Sequence, residues 1–178
     1  EDGYEDGIDF LSTKFNKIKN PNLKMVFDIA NFYKNAKKYE KAIDYYTQII
    51  SSLNDKSDMR SDLLYRRGGS YERLGNYEKS DEDLLHSLRI NPDDAYVLNY
   101  LAYSWLERDY KIDEAFQMLE KAYATRSEDP YIIDSIGWAY YLIDNYFCSL
   151  KSKNFYKVSS FYLTKIHEIA FSFSPNKF

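Results

Sequence analysis

The sequence predicts an all-α solenoid of stacked helix-turn-helix units, and three observations carry that prediction. A small residue followed three places later by a large aromatic recurs four times, as Ala30/Tyr33, Gly68/Tyr71, Ala102/Trp105 and Gly137/Tyr140. The small residues stand 38, 34 and 35 positions apart, and a period near 34 marks a helical-repeat array. A second pattern follows each pair. An aromatic or branched residue (Tyr39, Tyr77, Ile112, Tyr146) precedes by three a small one (Ala42, Ser80, Ala115, Ser149). Large residues then come at Tyr46, Leu84 and Leu119, followed by Ile49, Ser87 and Ala122. Spacings of three and four put these on one face of a helix. The third observation is the punctuation between runs: Gly75 as a helix stop, Pro92 after the second unit, and Asp129-Pro130 as a cap and first-turn proline.

Each element can be justified in order. Residues 1–7, EDGYEDG, are acidic and glycine-containing and read as a disordered tail. Ile8, Leu11, Phe15 and Ile18 have helical spacing before Pro21. They form either the back helix of a partial unit or a plain N-terminal cap helix, so 1–22 is tail and cap. Residues 23–56 form the first unit. Residues 57–60 are the four-residue excess within LNDKSDMRSD (53–62), read as a surface-loop insertion, with a regulatory insert as the alternative. Residues 61–94 form the second unit, with Asp93 or Asp94 capping the helix that follows. The third unit, 95–129, has one extra residue in its internal turn, and 130–147 is the front half of a fourth. Beyond Phe147 the periodicity slips. Residues 148–178 are either a segment closing the array with a helix near 155–171, where Tyr156, Ser159, Leu163 and Ile166 have second-helix spacing, or a frameshifted or fused tail.

The stretch LLYRRGGSYERLGNYEKSDEDLLHSLRINPDD (63–94), with Gly-x-x-Tyr, Gly-Asn-Tyr at the turn and a closing Asn-Pro, resembles the tetratricopeptide repeat. Ser80 and Ser87 depart from it, standing where that family prefers alanine. The resemblance covers about residues 23–147 and implies a right-handed superhelix whose front helices line a concave groove. Residues 99–123 and 129–146 are similar to tandem repeats of bacterial, especially alphaproteobacterial, tetratricopeptide proteins of poorly defined function. That implies a bacterial source and no chemistry.

Composition narrows the classes of function. Net charge is −4 and 29% of residues are charged, which argues against binding a phosphate backbone. No apolar run approaches the roughly 18 residues of a membrane span. The sole cysteine, Cys148, excludes an intrachain disulfide and leaves cytoplasm and periplasm equally open. The chain opens on Glu1, as a mature form or a fragment would.

Function on this reading comes from the groove. The inward positions of unit one are Lys24, Phe27, Asp28, Asn31 and Lys34; those of unit two are Asp62, Tyr65, Arg66, Gly69 and Arg73. Unit three offers Tyr96, Asn99, Tyr100, Tyr103 and Leu106, and unit four Tyr131, Asp134, Ser135, Trp138 and Tyr141. Rings give rigid contact area to an extended peptide, and Asn31 or Asn99 can pair with its backbone. The competing reading is that some rings pack between adjacent front helices. The lysine–asparagine clamp by which chaperone-binding members of the family grip a C-terminal carboxylate is matched only by Asn31; Phe27, Arg66, Tyr96 and Tyr100 hold the other positions.

Nothing in the sequence assembles a catalytic, metal or cofactor site. His86 and His167 lie far apart, Gly68-Gly69 sits inside a helix rather than after a strand, and Asp81-Glu82-Asp83 lacks calcium-loop spacing. Three classes of function stand. The leading one is a non-catalytic scaffold that binds a protein or extended peptide and needs no cofactor. The second is a truncated or frameshifted piece of a larger bacterial repeat protein, envelope-associated in one version. The third is an RNA-binding helical repeat, against which the acidic balance and the Asn-Pro signature argue.

Overall fold

The computed structural model describes residues 2–149, all of whose regular structure is helical. Eight helices follow one another: α1 (Asp2–Phe15), α2 (Leu23–Asn35), α3 (Tyr39–Ile50), α4 (Asp58–Arg73), α5 (Tyr77–Ile90), α6 (Ala95–Leu106), α7 (Ile112–Thr125) and α8 (Pro130–Ser149). Each packs on its neighbours in sequence, and α6 also touches α8. Contacts of that order make a solenoid, in which every unit is stabilised by the ones beside it.

Local chemistry sets the boundaries. Side chains of Asn22, Ser57, Asn76 and Asp94 accept from the first-turn amides of α2, α4, α5 and α6. Asp129 Oδ1 does the same for the Tyr131 amide at the start of α8. Each such cap contributes about 1 kcal/mol. The turns inside the units share one backbone device, a residue at positive φ: Lys37 (59°), Gly75 (73°), and Asp109 (52°) with Lys111 (44°). The extra residue in the third unit is accommodated by that second left-handed position. Only Gly75 takes its turn without a Cβ penalty.

Packing follows the small–aromatic pattern in the first and third units, while in the second the small residue is buried and Tyr71 stays half-exposed beside Arg67 and Lys79. Ala30, Ala42, Tyr33 and Tyr46 are buried in the first, Gly68, Ser80 and Leu84 in the second, and Ala102, Trp105, Ala115 and Leu119 in the third. A Cβ on Gly68 would lie 3.0 Å from Leu84 Cγ, so any larger residue there must push Leu84 back from α4. Two main cores result. Val26, Ala30, Tyr33, Tyr46, Ile49, Leu63 and Leu64 belong to the first, with Ile8 of α1. Leu84, Leu101, Trp105, Phe116, Leu119, Ile136 and Tyr140 belong to the second, and Ala95, Leu98, Ala122 and Ile132 form a smaller third.

Several boundaries differ from those read in the sequence. Residues 2–7 are the first turns of α1, which ends at Phe15; Ile8 is buried and Phe15 meets the Tyr45 ring edge-on at 5.5 Å. Residues 58–60 are no loop, because Ser57 caps them and they become an added first turn of α4. No turn falls at Asn145-Tyr146. The helix α8 runs on to Ser149, with no glycine or proline between 138 and 149 and no positive φ within it. Gly137 accordingly is exposed, and a Cβ there would meet nothing within 4 Å. The buried face of α8 is instead Ile132, Ser135, Ile136, Ala139 and Tyr140. The closing helix expected near 155–171, together with His167, lies outside the described residues.

Candidate interaction groove

The front helices α2, α4, α6 and α8 carry all the positions read as inward-facing. The structure divides them into a polar, half-buried end on α2 and α4 and an exposed aromatic end on α6 and α8.

At the first end, Arg66 organises its neighbours. Its Nε donates to Asp62 Oδ2 at 2.8 Å, its Nη1 to Asn31 Oδ1 at 3.3 Å, and the guanidinium lies over the Phe27 ring at 5.3 Å. Asn31 Oδ1 also accepts from the buried Tyr46 hydroxyl at 2.7 Å. The Asn31 carbonyl, expected to meet a ligand backbone, is thus engaged within the protein. Burial pushes the Tyr46 phenol up to about 12, against the pull of Arg66.

Tyr65 and Tyr100 settle between α4 and α6 rather than standing free. Their rings meet at right angles, 5.7 Å apart, and the Tyr100 hydroxyl donates to Glu72 Oε2 at 3.0 Å. Burial and the Glu72 carboxylate hold the Tyr100 phenol far above its ordinary value. The Asn99 side-chain oxygen is buried with no hydrogen-bond partner. Between the helices lies a cavity of about 170 Å³ lined by Lys34, Tyr39, Tyr65, Arg66, Gly69, Arg73 and Tyr100. Leu106, by contrast, is buried in the core.

The second end is open. Tyr131 is 78% exposed and Tyr141 57%, with Tyr96, Tyr103 and Trp138 each near 40%. Carboxylates fix several of these rings. Trp138 Nε1 donates to Glu107 Oε1 at 3.0 Å, and the Tyr96 hydroxyl to Asp129 Oδ2 at 3.0 Å beneath the Arg126 guanidinium. Trp138 and Tyr141 stack with centroids 5.3 Å apart. Partial burial, Glu107 and Asp134 push the Tyr103 phenol up. Of Tyr100, Tyr103 and Trp138, the latter two are accessible and the first is largely enclosed.

Glu72 and Glu107, which accept from Tyr100 and Trp138, are absent from the positions predicted by phase. Each stands three or four places after a groove position, Gly69 and Tyr103, so helical spacing alone could have found them. Among the described residues no group of His, Cys, Asp and Glu could hold a metal, and no helix is long and apolar enough to cross a membrane. His86 is half-buried on α5, where burial and then Arg89 and Arg60 lower its basicity.

The model of the tetratricopeptide-repeat family matches residues 23–52 and 61–94. A TPR repeat-containing protein of Pseudomonas aeruginosa is 34% identical over 79 residues, which is 44% of this chain and 13% of that protein. The chain therefore matches only a small part of that relative's length. Among solved structures, the Sgt2 TPR domain from Aspergillus fumigatus superposes with a TM-score of 0.64 at 19% identity, covering 76% of this chain and 87% of that one. The first TPR of Spaghetti (RPAP3), bound to the HSP90 peptide SRMEEVD, superposes with a TM-score of 0.60 at 16% identity, covering 68% and 93%. These likenesses establish the fold: a right-handed superhelical repeat solenoid.

Proposed function

We propose that this chain is a tetratricopeptide-repeat protein that binds an extended peptide segment of a partner protein along its front-helix groove. The observation that carries the proposal is the row of accessible rings on α6 and α8: Tyr96, Tyr103, Tyr131, Trp138 and Tyr141. Burying such rings against a ligand removes large apolar area from water, and aromatics dominate interface energetics. The tryptophan and Tyr96 are held by side-chain hydrogen bonds in the free protein, so little rotamer entropy is left to lose on binding.

A peptide fits this face better than a nucleic acid. Glu107, Asp129 and Asp134 stand among the rings, and their charge repels a phosphate backbone. The Spaghetti domain shows that the fold accommodates a peptide. The same ligand is not expected here, because Phe27 and Tyr96 replace clamp residues and Asn31 is engaged by Tyr46 and Arg66. On this reading the chain performs no chemistry of its own.

The test is selection from a display library of random linear peptides, using the intact chain beside a Tyr103→Ala/Trp138→Ala double variant. Circular dichroism checks that both are helical. Enriched peptides should bind the intact chain and lose roughly tenfold or more in affinity on the variant. Equal binding to both, or no enrichment, would refute groove binding.

A further inference from the structure

The cavity between α2, the start of α3, α4 and α6 holds an imbalance of charge that the fold does not explain. Three cations stand around it, Lys34, Arg66 and Arg73. Two carboxylates answer them: Asp62 pairs with Arg66 at 2.8 Å, and Glu72 lies 3.5 Å from Arg73. Glu72 is shared, since the same oxygen accepts the Tyr100 hydroxyl. Lys34 has no ion-pair partner among the described residues, although it is half-buried. Its ammonium is made less basic by burial and by Arg66 and Arg73, outweighing the pull of Asp62. An unpaired cation half out of water, among like charges, is costly to hold unless something else neutralises it.

We propose that this cavity receives one acidic side chain, Asp or Glu, of the peptide bound in the groove, with Lys34 and Arg73 pairing its carboxylate. This rests on the groove reading above and gives the bound peptide a direction. Arg66 is held by Asp62 and Asn31, so it contributes field rather than a fork. Tyr39 and Tyr65 line the wall. The surplus is a single positive charge, which matches a carboxylate better than a phosphate carrying about −1.5 to −2. A volume of about 170 Å³ holds such a side chain. The far end of the groove has the opposite sign, with Glu107, Asp129 and Asp134 among its rings against the one guanidinium of Arg126. A ligand acidic toward α2 and aromatic, apolar or basic toward α8 therefore complements the whole face.

The library selection tests this directly when repeated with a Lys34→Gln variant. Peptides enriched by the intact chain should share an Asp or Glu at a fixed distance on one side of their aromatic or apolar residues. Changing that acid to its amide should weaken binding about tenfold on the intact chain and little on Lys34→Gln, a coupling the double-mutant cycle reads out. Enriched peptides with no acid preference, or an equal loss on both chains, would overturn the cavity assignment while leaving the groove reading intact. Should neither chain enrich peptides, the groove reading fails and the cavity is judged alone. N-acetylglutamate N-methylamide, its glutamine counterpart and inorganic phosphate are then titrated against the arginine Nε–H resonances. Saturable shifts of Arg66 and Arg73 with the glutamate compound only, lost in Lys34→Gln, would support a carboxylate site. Tighter binding of phosphate, or no saturable shift, would refute it.

Discussion

Two serines of α5 stand where the repeat family prefers alanine, yet the structure gives their replacement opposite signs. The Ser80 hydroxyl is fully buried and finds no hydrogen-bond partner. Leaving such a group dry and unpaired costs about 1–3 kcal/mol. Ser80→Ala removes that cost and adds a better helix former, a gain of about 0.5 kcal/mol. The expected net effect is a stabilisation of about 2 kcal/mol, or roughly 4–8 °C in melting temperature for a chain of this length. Ser87 is different. Its Oγ donates to the Ser61 carbonyl at 2.9 Å and lies 2.9 Å from Ser61 Oγ, joining α4 to α5. Ser87→Ala deletes that bond, worth about 1 kcal/mol. Ser61 Oγ keeps the Ser87 main-chain oxygen at 3.1 Å, so nothing is orphaned. After the propensity gain the net loss is about 0.5 kcal/mol. Urea denaturation followed by circular dichroism separates the two through their midpoints, provided the slope is unchanged. The reasoning fails if Ser80→Ala is neutral or destabilising, or if both variants move the midpoint upward equally.

The other expectations concern glycine, a buried ion pair and alkaline pH. Gly68→Ala should destabilise by about 1–2 kcal/mol, because its Cβ would press on Leu84 and Asp83. Gly137→Ala meets nothing and should stabilise by about 0.8 kcal/mol, so paired thermal melts must move in opposite directions. Arg67 grips Asp83 through two bonds of 2.7 Å, and the Asp83 side chain is 7% exposed. Arg67→Met leaves that carboxylate unpaired and should cost about 3–5 kcal/mol, most of it regained in the Arg67→Met/Asp83→Leu chain by the same denaturation assay. Tyr46, raised to about 12 by burial, holds its proton in the folded chain beyond the ordinary value near 10. Its contribution is therefore complete below about pH 10 and lost as pH climbs through 12. The urea midpoint should fall over that window, and less steeply in Tyr46→Phe.

Much of this fold was legible because helical repeats print their packing at fixed intervals. Ala30, Ala42, Gly68, Ala102, Ala115, Tyr46, Leu84 and Leu119 are buried as their spacing requires. The failures came where the interval was trusted past its physical cause. Gly137 kept the phase of the small residues, but no described helix closes over it, and α8 continues through the position where a turn was expected. The four residues counted as an insertion were read as loop, since periodicity alone does not distinguish a longer helix from a longer linker. Ser57 as a cap was the signal available there. In the groove, phase placed Tyr65 and Tyr100 on the front-helix face. It could not show that the two rings would meet each other and close over Glu72, which depends on how far apart α4 and α6 sit.

Two adjacent helices, α4 and α5, reach both cores: α5 places Leu84 in the second and packs Ile90 against the first. Through Leu63 and Leu64, α4 completes the core shared with α1, α2 and α3, while Tyr65 packs against the core built by α5 to α8. In a linear array each unit's opening is coupled to its neighbours only across shared faces. The helix pair common to both halves is then the last to open. Amides of α4 and α5 should exchange with solvent most slowly, at the rate of global unfolding, while α1 exchanges by local opening. Such a chain transmits strain along its length through that central pair, so a ligand that clamps α4 to α6 stiffens both halves together. Binding at one end would be felt as slowed exchange at the other.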